Sequence, residues 1–242
     1  VALFVTCLAD QLFPEVAVAA VRLLRRLGVE VTVPDGQTCC GQPAYNAGYQ
    51  QQAREIAAHH LAVFAQADYD YDYIVLPSGS CAAMIDCHYP ELFEEPRQRS
   101  QAERLASRSY ELCTFITQVL GVSDVGADLN GLRVTYHDNC HALRGVGISE
   151  APRKLLRAAG AELLEADGHD VCCGFGGLFS VKLPDVSVAM ARTKLAGIAA
   201  TGAEVLTSTD AGCLMQLQGA LRRQGGSVRV QHVAELLWGG VA

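Results

Sequence analysis

Apolar positions fall along the chain in alternating rhythms. The unbroken run Val1–Thr6 reads as a short buried strand. From Pro14 to Leu27 the spacing becomes helical, with Val16, Ala19, Ala20, Leu23, Leu24 and Leu27 on one side. Gly28 supplies a stop, and Val29–Val33 predicts a second strand. A helix over 47–66 and a strand over Tyr73–Leu76 follow. Residues 94–130 start charged and then carry the stripe Leu112, Phe115, Ile116, Val119 and Leu120, which predicts a helix packed across two lobes. Beyond it the pattern predicts strand 132–136, helix 150–159, strand 161–165, helix 185–201 and strand 204–207. A strand at Val228–Val230 and a helix at Val233–Leu237 close the chain. Strands alternating with helices imply parallel βαβ units with right-handed crossovers.

The cysteines show that this pattern is a repeat. Cys7 precedes Cys39 by 32 positions, and Cys140 precedes Cys172 by the same 32. Each later cysteine is doubled and followed by glycine: Cys39-Cys40-Gly41 and Cys172-Cys173-Gly174. Cys81 and Cys213 come 41 and 40 positions after the doublets. The expected fold is α/β: two pseudo-symmetric lobes of parallel βαβ units, each with a cysteine cluster at the carboxyl ends of its strands. The first repeat is assigned to 1–93, a bridging helix and linker to 94–130, and the second repeat to 131–242.

Composition narrows the class. Half of the 242 residues are hydrophobic and 19% are charged, as in an ordinary folded globule. A net charge of −7 leaves no basic stripe to neutralise phosphates, which argues against a nucleic-acid partner. No run approaches the ~18 apolar residues of a membrane span. With no basic leader, a cytoplasmic protein not integral to a membrane is expected. Ten cysteines in that setting are metal ligands or redox groups rather than a disulfide framework.

Each landmark cysteine follows a predicted strand, and the carboxyl-end loops of a parallel sheet converge where such folds bind ligands. Two sets result: Cys7, Cys39, Cys40 and Cys81, and Cys140, Cys172, Cys173 and Cys213. Four soft thiolates per set match iron–sulfur coordination. Gly41, Gly174, Gly176 and Gly177 allow close backbone approach to a bound group. Cys87 and Cys113 have no counterpart in the repeat and read as small buried hydrophobes. Two other readings stay open: a thiol–disulfide protein cycling its vicinal cysteines, and a zinc-binding structural module. No Gly-x-Gly-x-x-Gly, Walker loop or nucleophile elbow is present.

The paired long-spaced motif resembles the cysteine-rich CCG domain family. That family places a Cys, a Cys-Cys-Gly some thirty residues on, and then a Cys-x-x-Cys, twice in the B subunit of heterodisulfide reductase. The stretches Ser78-Gly79-Ser80-Cys81, His137-Asp138-Asn139-Cys140-His141, Cys172-Cys173-Gly174-Phe175-Gly176-Gly177 and Thr209-Asp210-Ala211-Gly212-Cys213 carry the likeness, which runs the length of the chain. Within the family the chain is similar to members that act in lactate utilization. The resemblance implies iron–sulfur clusters, up to two and of the 4Fe–4S kind. It also implies electron transfer in the oxidation of L-lactate to pyruvate. The implied partners are other subunits of a lactate oxidation complex, one carrying conventional clusters, with lactate itself a candidate ligand. The family's first Cys of Cys-x-x-Cys is Ser78 in repeat one and Asp210 in repeat two. Either could add an oxygen ligand, or serve as a turn hydroxyl and a helix N-cap.

Other polar groups complete the candidate list. His137 and His141 flank Cys140 and are the candidate catalytic residues, as ligands, proton donors or hydrogen-bond donors to sulfur. Asp138 could orient a neighbouring histidine, and Arg144 could pair with a carboxylate. His232 reads as packing or capping. His59 and His60 are placed on a solvent-facing helix side.

Overall fold

The computed structural model describes residues 1–65 and 71–239. The first half runs β1 (Ala2–Leu3), α1 (Cys7–Gln11), α2 (Pro14–Arg26), α3 (Gln42–Asn46), α4 (Gln50–Val63), β2 (Ile74–Leu76) and α5 (Gly79–Ala83). A π-helical turn (Met84–His88), α6 (Tyr89–Leu92), α7 (Pro96–Ala106), β3 (Ser109–Glu111), α8 (Leu112–Thr114) and a second π-turn (Phe115–Val119) follow. The second half runs β4 (Arg133–Tyr136), α9 (Cys140–Val146), α10 (Glu150–Ala158), β5 (Glu162–Leu163), α11 (Leu178–Lys182), α12 (Pro184–Thr201), β6 (Val205–Ser208), α13 (Ala211–Gln224), β7 (Arg229–His232) and α14 (Val233–Gly239).

The strands form two parallel sheets, β1-β2-β3 and β5-β4-β6-β7. Period-two alternation in the central strands sends neighbouring residues to opposite faces. Val75 and Val205 enter one core that both lobes share, built with Leu23, Phe115, Leu155 and Leu236. Ile74 and Leu76 face the opposite way into a core private to the first lobe, and Leu206 into one private to the second. The shared layer therefore fuses two α/β lobes back to back. At its edge α14 packs on α2, where Arg26 donates to the Trp238 carbonyl at 2.8 Å with its guanidinium 4.0 Å from the indole centroid.

Three elements differ from the sequence pattern. Val29–Val33 contributes a single bridge, Ala2 with Thr32, rather than a strand. Thr32 exchanges hydrogen bonds with Val1 and Leu3, and Pro34, which lacks an N–H, ends the pairing. The helix expected over 47–66 starts at Gln50, because Gly48 takes a left-handed φ of 84° and separates α3 from α4. Its expected end at residue 66 lies outside the described residues, as do 240–242 at the end of the second repeat. Segment 94–130 supplies β3, the third strand of the first sheet, before its apolar stripe turns helical.

Candidate metal centre

The β1 chain leaves the sheet through Thr6, whose φ of 71° is strained for a β-branched residue and costs about 1–3 kcal/mol. Cys7 comes next and opens α1. Cys39 and Cys40 lie in the loop before α3, and Cys81 sits in the first turn of α5, just beyond β2. In the second lobe Cys140 opens α9, Cys172 and Cys173 precede α11, and Cys213 sits in the first turn of α13. All eight line one cavity of about 140 Å³ between the lobes, together with Asn139, His141, Gly176, Gly177, Ser78 and Asp210. Cys87 and Cys113 do not line it.

Within each set the thiols are chained. Cys7 Sγ lies 3.6 Å from Cys39 Sγ, Cys39 contacts Cys40, and Cys40 contacts Cys81. The second set runs Cys140, Cys172, Cys173, Cys213 in the same way. Hydrogen bonds from Cys40 and Cys7 hold Cys39 toward its thiolate, and those from Cys140 and Cys173 do so for Cys172. Their donors Cys7 and Cys140 are pushed up in return. The backbone N–H groups of Gly41 and Gly174 reach the sulfurs of Cys39 and Cys172, each at 3.4 Å. Gly174 has a φ of 87°, and a Cβ there would sit 2.6 Å from the Ser187 carbonyl oxygen, so a side chain is excluded on both grounds. Ligand-ready thiols facing one cavity suit a soft metal or an iron–sulfur group.

Ser78 and Asp210 sit at the N-caps of α5 and α13. Ser78 Oγ accepts from Cys81 N and donates to Asp210 Oδ2 at 3.2 Å. Asp210 Oδ1 accepts from the N–H groups of Gly212 and Cys213, and Oδ2 also accepts from Ser80 N. The two equivalent caps thus bond to each other across the lobes, reinforced by Gly79 N to Thr209 O at 3.1 Å.

Around the second set lies a polar shell, with His137, Asp138 and Asn139 at the positions where the first lobe has Phe4, Val5 and Thr6. His137 is 1% exposed; one ring nitrogen is turned toward the His169 carbonyl and the other has no partner. Burial pushes its imidazole down to about 3. Its ligand atom lies within 4.8 Å of the sulfurs of Cys173 and Cys213. His141 is half-buried at the cavity wall, its Nδ1 3.6 Å from Cys140 Sγ. Asn139 caps α9 through Oδ1 and donates from Nδ2 to Cys213 Sγ at 3.3 Å. Asp138 does orient a histidine: its Oδ2 lies 2.7 Å from His169 Nδ1. Burial opposes its ionisation, and hydrogen bonds from Arg153 and His169 outweigh that and lower its pKa. Arg144 is exposed and does not line the cavity.

Two participants escape a reading of the sequence for ligands. Lys194 is buried, and its ammonium donates to the carbonyls of Gly168, His169 and Val171 at 2.6–2.7 Å, holding the loop that leads into Cys172. A lysine on the buried stripe Ala191, Leu195, Ile198 is the signal that could have found it. Arg153, also buried, grips Asp138 and Glu165 with paired hydrogen bonds of 2.7–2.9 Å.

The cysteine-rich domain model of the CCG family matches residues 1–86 and 134–218. The chain belongs to the CCG family. Proteins named lactate utilization protein A are similar to it end to end. That of Exiguobacterium sp. (strain ATCC BAA-1283 / AT1b) is 51% identical, over 100% of this chain and 98% of its own length. Those of Geobacillus kaustophilus (strain HTA426) and Bacillus subtilis (strain 168) are 47% and 46% identical, each over 98% of both chains. This CCG chain has no helix, among the described residues, long and apolar enough to cross a membrane.

Proposed function

We propose that this chain is an iron–sulfur subunit of an oxidoreductase complex that oxidises L-lactate to pyruvate. The observation that carries this reading is the convergence of all eight repeated cysteines on one cavity. The relatives' name, lactate utilization protein A, supports lactate as the substrate class. Lactate oxidation releases two electrons and two protons, and iron–sulfur groups held by the two sets would accept and pass on electrons. Cys7, Cys39, Cys40 and Cys81 would hold one, and Cys140, Cys172, Cys173 and Cys213 the other. Gly41 and Gly174 would present N–H groups to ligand sulfurs, and Gly176 and Gly177 would keep the wall free of side chains. Ser78 and Asp210 would fix the helices that carry Cys81 and Cys213. His141, on the cavity wall, is placed to hold or donate a proton there, and His137 stands beside Cys173 and Cys213. Donor and acceptor are partner subunits.

The test is iron and acid-labile sulfide per chain on anaerobically purified protein. About eight of each supports one four-iron cluster per set. Zinc with no sulfide would instead favour a mononuclear site, for which the close grouping of His137, Cys173 and Cys213 speaks. Metal-free, colourless protein after anaerobic reconstitution would return the cysteines to thiol chemistry.

A further inference from the structure

The spacing that relates Cys140 to Cys7 also relates His137 to Phe4. Phe4 is fully buried and packs edge-on against His60 and Phe64, at centroid distances of 4.5 and 5.9 Å. It presents nothing that could bind a metal. His137 occupies the same place beside the second set with two buried nitrogens, one turned toward the His169 carbonyl and the other without a partner. Its main chain is pinned on both sides: its N–H donates to the Thr207 carbonyl at 2.8 Å, and its carbonyl accepts from Ser208 Oγ at 2.8 Å. The ring, 1% exposed, is confined by its surroundings within 4.8 Å of the sulfurs of Cys173 and Cys213. A buried imidazole with one nitrogen toward a carbonyl and the other unpartnered is an arrangement that a bound metal resolves. Imidazole nitrogen and thiolate sulfur are ligands that iron accepts together.

We infer that one ring nitrogen of His137 binds the metal held by Cys173 and Cys213, so that the second site is a mixed nitrogen–sulfur site and the first an all-sulfur one. This rests on the iron–sulfur reading above. A neutral imidazole ligand raises the reduction potential of an iron–sulfur centre relative to all-thiolate ligation. With clusters at both sites, His137 would bias shared electrons toward the second.

The experiment uses the full chain, purified anaerobically from cells grown with ordinary or 15N-labelled histidine. Iron and sulfide are measured on the same samples. Resonance Raman spectra of the oxidised protein are expected to contain an iron–nitrogen stretch that moves to lower frequency with 15N. His137→Phe, which installs the residue of the first repeat, is expected to lose that band and keep the iron of the first set. In a redox titration it is expected to shift one of two steps to lower potential. Iron–sulfur protein with no histidine-sensitive band overturns the inference while leaving the proposed function standing. So does a band that survives in His137→Phe, which would assign it to another histidine such as His141. Protein without iron and sulfide overturns both. If His137→Phe does not fold, labelled His141→Phe decides: a band that persists supports His137 as its source, and a band that vanishes overturns the inference.

Discussion

His60 is sealed among Phe4, Phe64 and Tyr89, with ring centroids 4.5–5.5 Å away. Burial pushes its imidazole down to about 3, helped by the neighbouring His59 and opposed by Cys39. The sequence reading places it on a solvent-facing helix side, and the structure corrects this: His60 shares the buried face of α4 with Ala53, Ala57 and Leu61, at helical spacing, and Phe4 and Tyr89 cover it. The folded-state pKa is depressed below the ordinary 6.5. Above pH 6.5 the ring is neutral in both states and the fold loses nothing. Below it the unfolded chain gains a proton that the folded chain refuses. Stability therefore falls by about 1.4 kcal/mol per pH unit from 6.5 toward 5 on account of this one group. Denaturant titrations at pH 7 and pH 5 should show a smaller difference for His60→Phe than for wild type, and equal differences would contradict the sealed, neutral state. At the cysteines, Cys173→Ser should bleach about half of the visible cluster absorbance, since each set would hold its own group. Loss of all the iron, or of none, would speak against two separate sites. The thiols were legible in the sequence because eight soft donors recur at repeated spacings. The orphaned nitrogen of His137 was not, because only the fold reveals which polar atoms lack a partner.

At the scale of elements, the loop 168–171 and α12 form a unit around Lys194. Three carbonyls share one ammonium, so Lys194→Met should strand them and destabilise the fold by about 3 kcal/mol. The same variant should retain iron less well at the second set, and iron analysis after mild chelation would detect this. Gly174→Ala meets the Ser187 carbonyl and a left-handed backbone together, and should lower stability by about 2–4 kcal/mol in a chemical denaturation. Elements with long periodic runs were legible: α2, α10, α12 and the buried strands β2, β4 and β6 lie where the pattern puts them. The short ones were not. β3 is only Ser109–Glu111, and its strand character comes from pairing with β2 rather than from its own composition. Val29–Val33 has strand composition and yet, with Pro34 at its end, keeps one bridge.

As a whole the molecule should unfold as one body. Its largest core takes residues from both halves, and α14, from the end of the chain, closes over α2, near the beginning. Thermal unfolding of the apoprotein followed by far-ultraviolet circular dichroism and by the fluorescence of Trp238 should therefore coincide in one transition. Two separated transitions would mean that the lobes are independent. The sequence repeat foretold two lobes of one design, but said nothing of their shared layer or of the faces they turn to each other. At that meeting point Ser78 and Asp210 occupy the same structural position in the two lobes, yet one donates and the other accepts. A two-fold dimer of separate, identical chains would have to set each residue opposite a copy of itself, and two buried carboxylates there would repel. Joining both lobes in one polypeptide lifts that restriction, so mutation can turn a self-facing contact into a matched pair and let two once-interchangeable halves take up different duties.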